Sequence, residues 1–133
     1  MIIENSLNGK EKRMSKILIV EDNEMNMRLF SDLLKSKGYE VLQCFDGKKA
    51  LGIVEENHPD LILMDIQMPG ISGLEVTALI RKTPSVANTK IIAVTAFAMK
   101  GDEQKIIDGG CDGYIAKPIA VADFLNTVDS FLK

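Results

Sequence analysis

Five strand-length runs, four of them apolar and closing on polar residues, constrain this chain more than any other feature. The most telling is Leu61-Ile62-Leu63-Met64, which has strand length and no polar alternation. Such a run predicts a strand buried on both faces, as in a parallel sheet. It ends on a lone carboxylate, Asp65, and Met68-Pro69-Gly70 then turns the chain away. In open α/β sheets the carboxyl ends of the strands are where ligands bind.

The other runs repeat the pattern. Ile17 to Val20 closes on Glu21-Asp22-Asn23 and precedes a helix with Met25, Leu29, Leu33 and Leu34 on one face, ended by Gly38. Tyr39 to Phe45 alternates, Val41 against Gln43, as an edge strand does. Asp46 is placed to cap a helix carrying Ala50, Leu51 and Val54, which Pro59 stops. Ser72-Gly73-Leu74-Glu75 has capping-box spacing, with Ile71 and Val76 as the hydrophobic staple, and Pro84 marks that helix's end. Ile91 to Val94 closes on Thr95, a helix through Ile106 and Ile107 ends at Gly109-Gly110, and Gly113 to Ala116 closes on Lys117-Pro118. Val121, Phe124, Leu125, Val128 and Leu132 form the stripe of a last helix. Strands and helices alternating in this way predict a doubly wound parallel sheet. Residues 1–15, polar with no sustained period, are expected to be a flexible leader, Met14 offering a second start, and residues 16–133 the one domain.

Four strand ends therefore bring Glu21 and Asp22, Asp65, Thr95, and Lys117 to one edge of the sheet. Each has an ordinary reading on its own: Asp22 or Asn23 as a helix cap, Asp65 as a loop carboxylate, Lys117 as a surface lysine. Together they suit a phosphoryl group. Bunched carboxylates repel, and a hard divalent cation such as Mg²⁺ relieves them, typically held by one or two carboxylates and a phosphate oxygen. Lysine and a hydroxyl donor complete the neutralisation of phosphoryl oxygens, and Asp65 would be the nucleophile of an acyl phosphate.

Composition excludes other classes. A net charge of −3 gives no basic footprint for nucleic acid or an anionic membrane. No apolar run approaches the ~20 residues of a membrane span, and the start lacks a signal-peptide core. Cys44 and Cys111 have no CxxC spacing and read as reduced thiols. The single histidine, His58, precedes a proline in a loop, so neither a His-rich metal site nor a Ser-His-Asp triad is available.

Over residues 16 to 133 the chain resembles the receiver domain of bacterial two-component response regulators. The resemblance rests on Ile17-Leu18-Ile19-Val20-Glu21-Asp22-Asn23, Leu63-Met64-Asp65-Ile66-Gln67-Met68-Pro69-Gly70, Val94-Thr95-Ala96 and Tyr114-Ile115-Ala116-Lys117-Pro118. Within that family it is most similar to a small single-domain cell-cycle regulator, through Glu21-Asp22-Asn23-Glu24 and the runs 71–77 and 95–103.

The resemblance implies a flavodoxin-like (CheY-like) (βα)₅ fold, strand order 2-1-3-4-5. It implies that Asp65 takes a phosphoryl group from a histidine kinase or histidine phosphotransfer protein. One Mg²⁺, replaceable by Mn²⁺, would be held by Asp22, Asp65 and the Gln67 backbone carbonyl, with Glu21 acting through water. Thr95 and Lys117 would contact the phosphoryl group, Tyr114 would swing inward, and the Lys117–Pro118 bond would be cis. Gln67 and Phe97 would flank the site and tune it, a bulky Phe97 hindering water. Glu21 stands where many receivers have aspartate, which keeps the charge on a longer arm.

Partners would dock on helix 1 and on the helix 4–strand 5–helix 5 face, near the apolar Ala98 and Met99. The protein would be a monomer able to dimerise on phosphorylation, with no nucleic acid or membrane partner. It would be a bacterial cytoplasmic phosphoacceptor switch, catalysing at most its own phosphorylation and dephosphorylation, recruited to cell poles by a partner kinase. Alternatives are a relay intermediate passing phosphate onward, a module acting independently of phosphorylation, and an aspartyl-nucleophile phosphohydrolase. The last needs a second aspartate as acid/base where this chain has Gln67.

Overall fold

The structure, a computed structural model, describes residues 14–96 and 102–132. Its elements are β1 (Lys16–Val20), α1 (Glu24–Ser36), β2 (Glu40–Cys44), α2 (Gly47–Asn57), β3 (Leu61–Asp65), α3 (Gly73–Arg81), β4 (Lys90–Thr95), α4 (Asp102–Asp108), β5 (Gly113–Ala116) and α5 (Val121–Leu132). The strands form one parallel sheet in the order β2-β1-β3-β4-β5. Every carboxyl end therefore faces the same rim, with β1 and β3 adjacent and β4 and β5 following.

Side chains alternate across a strand, so each central strand feeds two cores. Leu18, Val20, Ile62, Met64, Ile91 and Ala93 point to the face that α2, α3 and α4 cover through Ala50, Val54, Val76, Ile80 and Ile106. Ile17, Ile19, Leu61, Leu63, Ile92 and Val94 point to the other, where α1 and α5 contribute Met27, Phe30, Leu34, Phe124 and Val128. Phe30 and Phe124 stack at 5.3 Å between ring centroids. This double coverage explains the continuous apolar runs; β2, bonded to β1 alone, is the alternating edge strand.

The helix ends follow their sequence signals. Asn23 caps α1 by accepting from Asn26 N, and Asp46 caps α2 by accepting from Lys48 N. Ser72 and Glu75 form a reciprocal capping box on α3. His58, exposed, closes α2 with φ of 47°.

Two apolar stripes differ from expectation. On α1 the buried residues are Met27, Phe30, Ser31 and Leu34, whereas Met25 is 81% and Leu29 42% exposed. The i, i+3, i+4, i+7 stripe includes a serine, which pattern reading discounts; the Ser31 hydroxyl accepts from Gln43 Nε2 at 2.9 Å. On α5 the buried residues are Phe124 and Val128, and Val121, in the first turn, is 48% exposed. Most of the expected leader, and Phe97, Ala98 and Met99, lie outside the described residues. Among the described residues no helix is long and apolar enough to cross a membrane.

Candidate phosphoryl and metal site

The site is assembled by strand register. Val20 pairs with Met64, Asp65 with Val94, and Thr95 with Ala116, so the residues that end or follow these strands meet at one rim. Asp65 is the last residue of β3 and is 2% exposed; Glu21, just past β1, is 1% exposed, and Thr95, ending β4, is buried. Asp22 lies beside them in solvent. Carboxylate oxygens of Glu21, Asp22 and Asp65 all lie within 4.8 Å of one another.

Lys117 is the cation of this group. Its Nζ donates to Glu21 Oε1 at 3.0 Å and lies 3.6 Å from Asp65 Oδ2. Its backbone N–H donates to Thr95 O at 2.8 Å, which anchors the segment after β5, and the Lys117–Pro118 peptide bond is cis. The second Glu21 oxygen, Oε2, accepts from Asn23 N at 3.1 Å. Glu21 therefore joins the lysine to the start of α1.

The loop after Asp65 holds the carboxylate from the other side. Gln67 N donates to Asp65 Oδ1 at 3.0 Å, and the Gln67 side chain reaches across to accept from Ala96 N at 3.3 Å. Gly73 N donates to Ile66 O, and a Cβ at Gly73 would stand 2.1 Å from Asp65 O. Only glycine lets α3 begin this close to the strand end.

The charge balance is unfavourable as it stands. Burial pushes the Asp65 carboxyl up to about 7; Gln67 N–H opposes the shift, Glu21 adds to it, and Lys117 opposes it. Three clustered carboxylates against one lysine, with a raised pKa at the centre, form a hard-oxygen donor set that a divalent cation would relieve. The residues present fit Mg²⁺.

Two features had no signal in the sequence. The Tyr114 hydroxyl, on the strand that leads to Lys117, donates to Glu103 Oε2 at 2.5 Å in an exposed bond. A groove of about 380 Å³ opens between α1 and the segment after β5, lined by Asn26, Leu29, Phe30, Lys117 and Pro118 among others. Phe97 lies outside the described residues.

A family model described as the response regulator receiver domain matches residues 17–129. The polar-differentiation response regulator DivK of Brucella ovis is 53% identical over 116 residues, covering 87% of this chain and 94% of that protein. The Brucella anthropi protein of the same name matches to the same extent. Among solved structures, the receiver domain of a Pseudomonas aeruginosa sensor histidine kinase, with a magnesium ion coordinated in its active-site cleft, superposes with TM-score 0.82 at 34% identity. It covers 90% of this chain and 98% of that one. The Vibrio cholerae chemotaxis protein CheY4 gives 0.84 at 28% identity, covering 90% and 99%.

Proposed function

Since this chain belongs to the response regulator receiver domain family, we propose that Asp65 is its phosphoacceptor and that the protein signals in a DivK-like role. The observation that carries this reading is the meeting of Asp65 with Glu21, Asp22 and Lys117 at one sheet rim. An ionised Asp65 oxygen attacks the phosphorus of a phosphohistidine. The P–N bond to the imidazole breaks as the O–P bond forms, and the imidazole nitrogen keeps the electron pair.

Mg²⁺, held by Asp22, Asp65 and the Gln67 carbonyl, with Glu21 acting through water, would supply charge neutralisation to the phosphoryl oxygens. The chain's own contributions are then distinct. Lys117 moves its charge from the carboxylates to a phosphoryl oxygen, and the Thr95 hydroxyl donates to another. Gln67 N–H keeps Asp65 oriented. Gln67, which lies against the Asp65 loop, and Phe97, at a position that the family resemblance assigns the same role, tune how readily water reaches the acyl phosphate. Tyr114 follows inward, shifting an equilibrium of the α4–β5–α5 face.

The donor is a histidine kinase or a histidine phosphotransfer protein. Supporting a contact at α1 is the apolar groove beside Lys117, with Leu29 and Met25 exposed along the helix. The relatives that are 53% identical are named polar-differentiation response regulators, which supports a role in cell polarity; the reading extends this to cell-cycle control of kinases, in the bacterial cytoplasm and at the cell poles. The α4–β5–α5 face is where the switched protein contacts its target or a second copy. A relay that passes the phosphoryl group onward would use the same residues.

The test is intact-protein mass after incubation with acetyl phosphate, with and without Mg²⁺, for the wild type and Asp65→Asn. A single Mg²⁺-dependent phosphoryl adduct, absent in the variant, is the expected result. A folded protein that forms no adduct, either from acetyl phosphate or from a phosphohistidine domain, overturns the reading.

A further inference from the structure

The Tyr114–Glu103 hydrogen bond joins two elements that both lead to the site. Tyr114 lies in β5, opposite Ala93, and β5 runs on to Lys117. Glu103 is in the first turn of α4, the helix that follows Thr95 in the chain. One bond thus bridges the segments whose ends carry the hydroxyl and the amine of the site. It is charge-assisted, at 2.5 Å, and the carboxylate raises the Tyr114 pKa by holding the phenol proton.

The helix it tethers buries little of itself among the described residues. Of its described residues only Ile106 is buried. A crevice of about 150 Å³ on its inner side is lined by Leu74, Thr95, Lys105 and Ile106 among others. A helix with one buried anchor and open space beneath it depends on its polar tethers more than a closely packed helix does.

The geometry points to Glu103 as a latch that holds Tyr114 outward and biases the α4–β5 face toward its unphosphorylated arrangement. The inference rests on the phosphoacceptor reading above. If phosphoryl capture and the inward movement of Tyr114 are linked, a bond made only in the outward state opposes capture. Removing it raises the population of the competent state, and with it the apparent affinity for a phosphoryl group, by the same factor. For one exposed hydrogen bond that factor is about 3- to 10-fold.

The experiment measures beryllofluoride affinity at saturating Mg²⁺ by calorimetry. In parallel, the ¹⁹F spectrum of 3-fluorotyrosine-labelled protein is recorded. The chain has two tyrosines, and Tyr114→Phe assigns the signals. Glu103→Ala is expected to tighten beryllofluoride binding about 3- to 10-fold. Before any ligand is added, it should also move the Tyr114 signal toward its position in the loaded wild type. With Tyr114→Phe already present, Glu103→Ala should change the affinity no further, because the phenol it acts through is gone.

An unchanged affinity and signal in Glu103→Ala overturns the latch. So does an equal gain with and without Tyr114→Phe, which would trace the effect to the lost charge alone. A wild type that takes up no beryllofluoride overturns the phosphoacceptor reading, and the latch with it; a wild type that binds while the variant is unaltered overturns the latch alone.

Discussion

Asp65 carries a cost that the surrounding residues only partly offset. Its carboxyl is raised to about 7, chiefly by burial, so the folded protein keeps a proton that the unfolded chain has already released. The contribution of Asp65 to the stability of the metal-free protein therefore falls as pH rises from about 4 to about 7 and is level above that. Asp65→Asn removes this dependence. In EDTA its urea midpoint relative to wild type should be most favourable near pH 8 and lose that advantage toward pH 4. A relative midpoint that instead improves as pH falls contradicts the burial account. Lys117 is the opposite case, because its loss leaves Glu21 and Asp65 buried without their cation. Lys117→Ala should cost roughly 3–5 kcal/mol in metal-free denaturation, the range for breaking a buried pair on one side.

The start of α3 is where an element fixes the site. The Ser72–Glu75 capping box sets the first turn, and Gly73 brings it against the Asp65 carbonyl. Gly73→Ala would force a Cβ to within 2.1 Å of backbone, which neither the strand nor the helix can yield cheaply. A loss of about 1–3 kcal/mol or more is expected in denaturant unfolding. A slower acetyl phosphate reaction should accompany it, since the displaced backbone carries Asp65, the proposed phosphoacceptor. Gly52, exposed within α2, is the control. A Cβ there meets nothing within 4 Å, so Gly52→Ala should stabilise by about 0.5–1 kcal/mol and leave the reaction unchanged. The contrast separates close approach from helix propensity at two glycines of the same molecule.

Over the whole molecule, a Mg²⁺ ion held as proposed would link the site to the fold. Mg²⁺ that binds the folded protein alone raises stability by about 2.7 kcal/mol at 100 times its Kd. Thermal unfolding should therefore shift upward with added Mg²⁺ and return on chelation. The shift should be reduced in Asp65→Asn, which withdraws one of three clustered carboxylates. The elements behind this behaviour were readable from the chain because they depend on local rules. Apolar runs without alternation made strands covered on both faces, Ser72 and Glu75 marked a helix start, and polar residues at the run ends marked the rim. The stripe of α1 departs from its apolar pattern because the buried Ser31 has a partner, Gln43, that no local pattern reveals. The same limit hid the Glu103–Tyr114 bond and the approach of Gly73 to Asp65. By itself, then, the sequence determined the alternating elements and which residue types reach the strand ends, since both follow from side-chain periodicity and capping within a few neighbours. Only the tertiary structure decided that Lys117 rests on Glu21 and that the Tyr114 hydroxyl meets Glu103. Those distances depend on how separate elements stack over the sheet, and packing across the chain sets them.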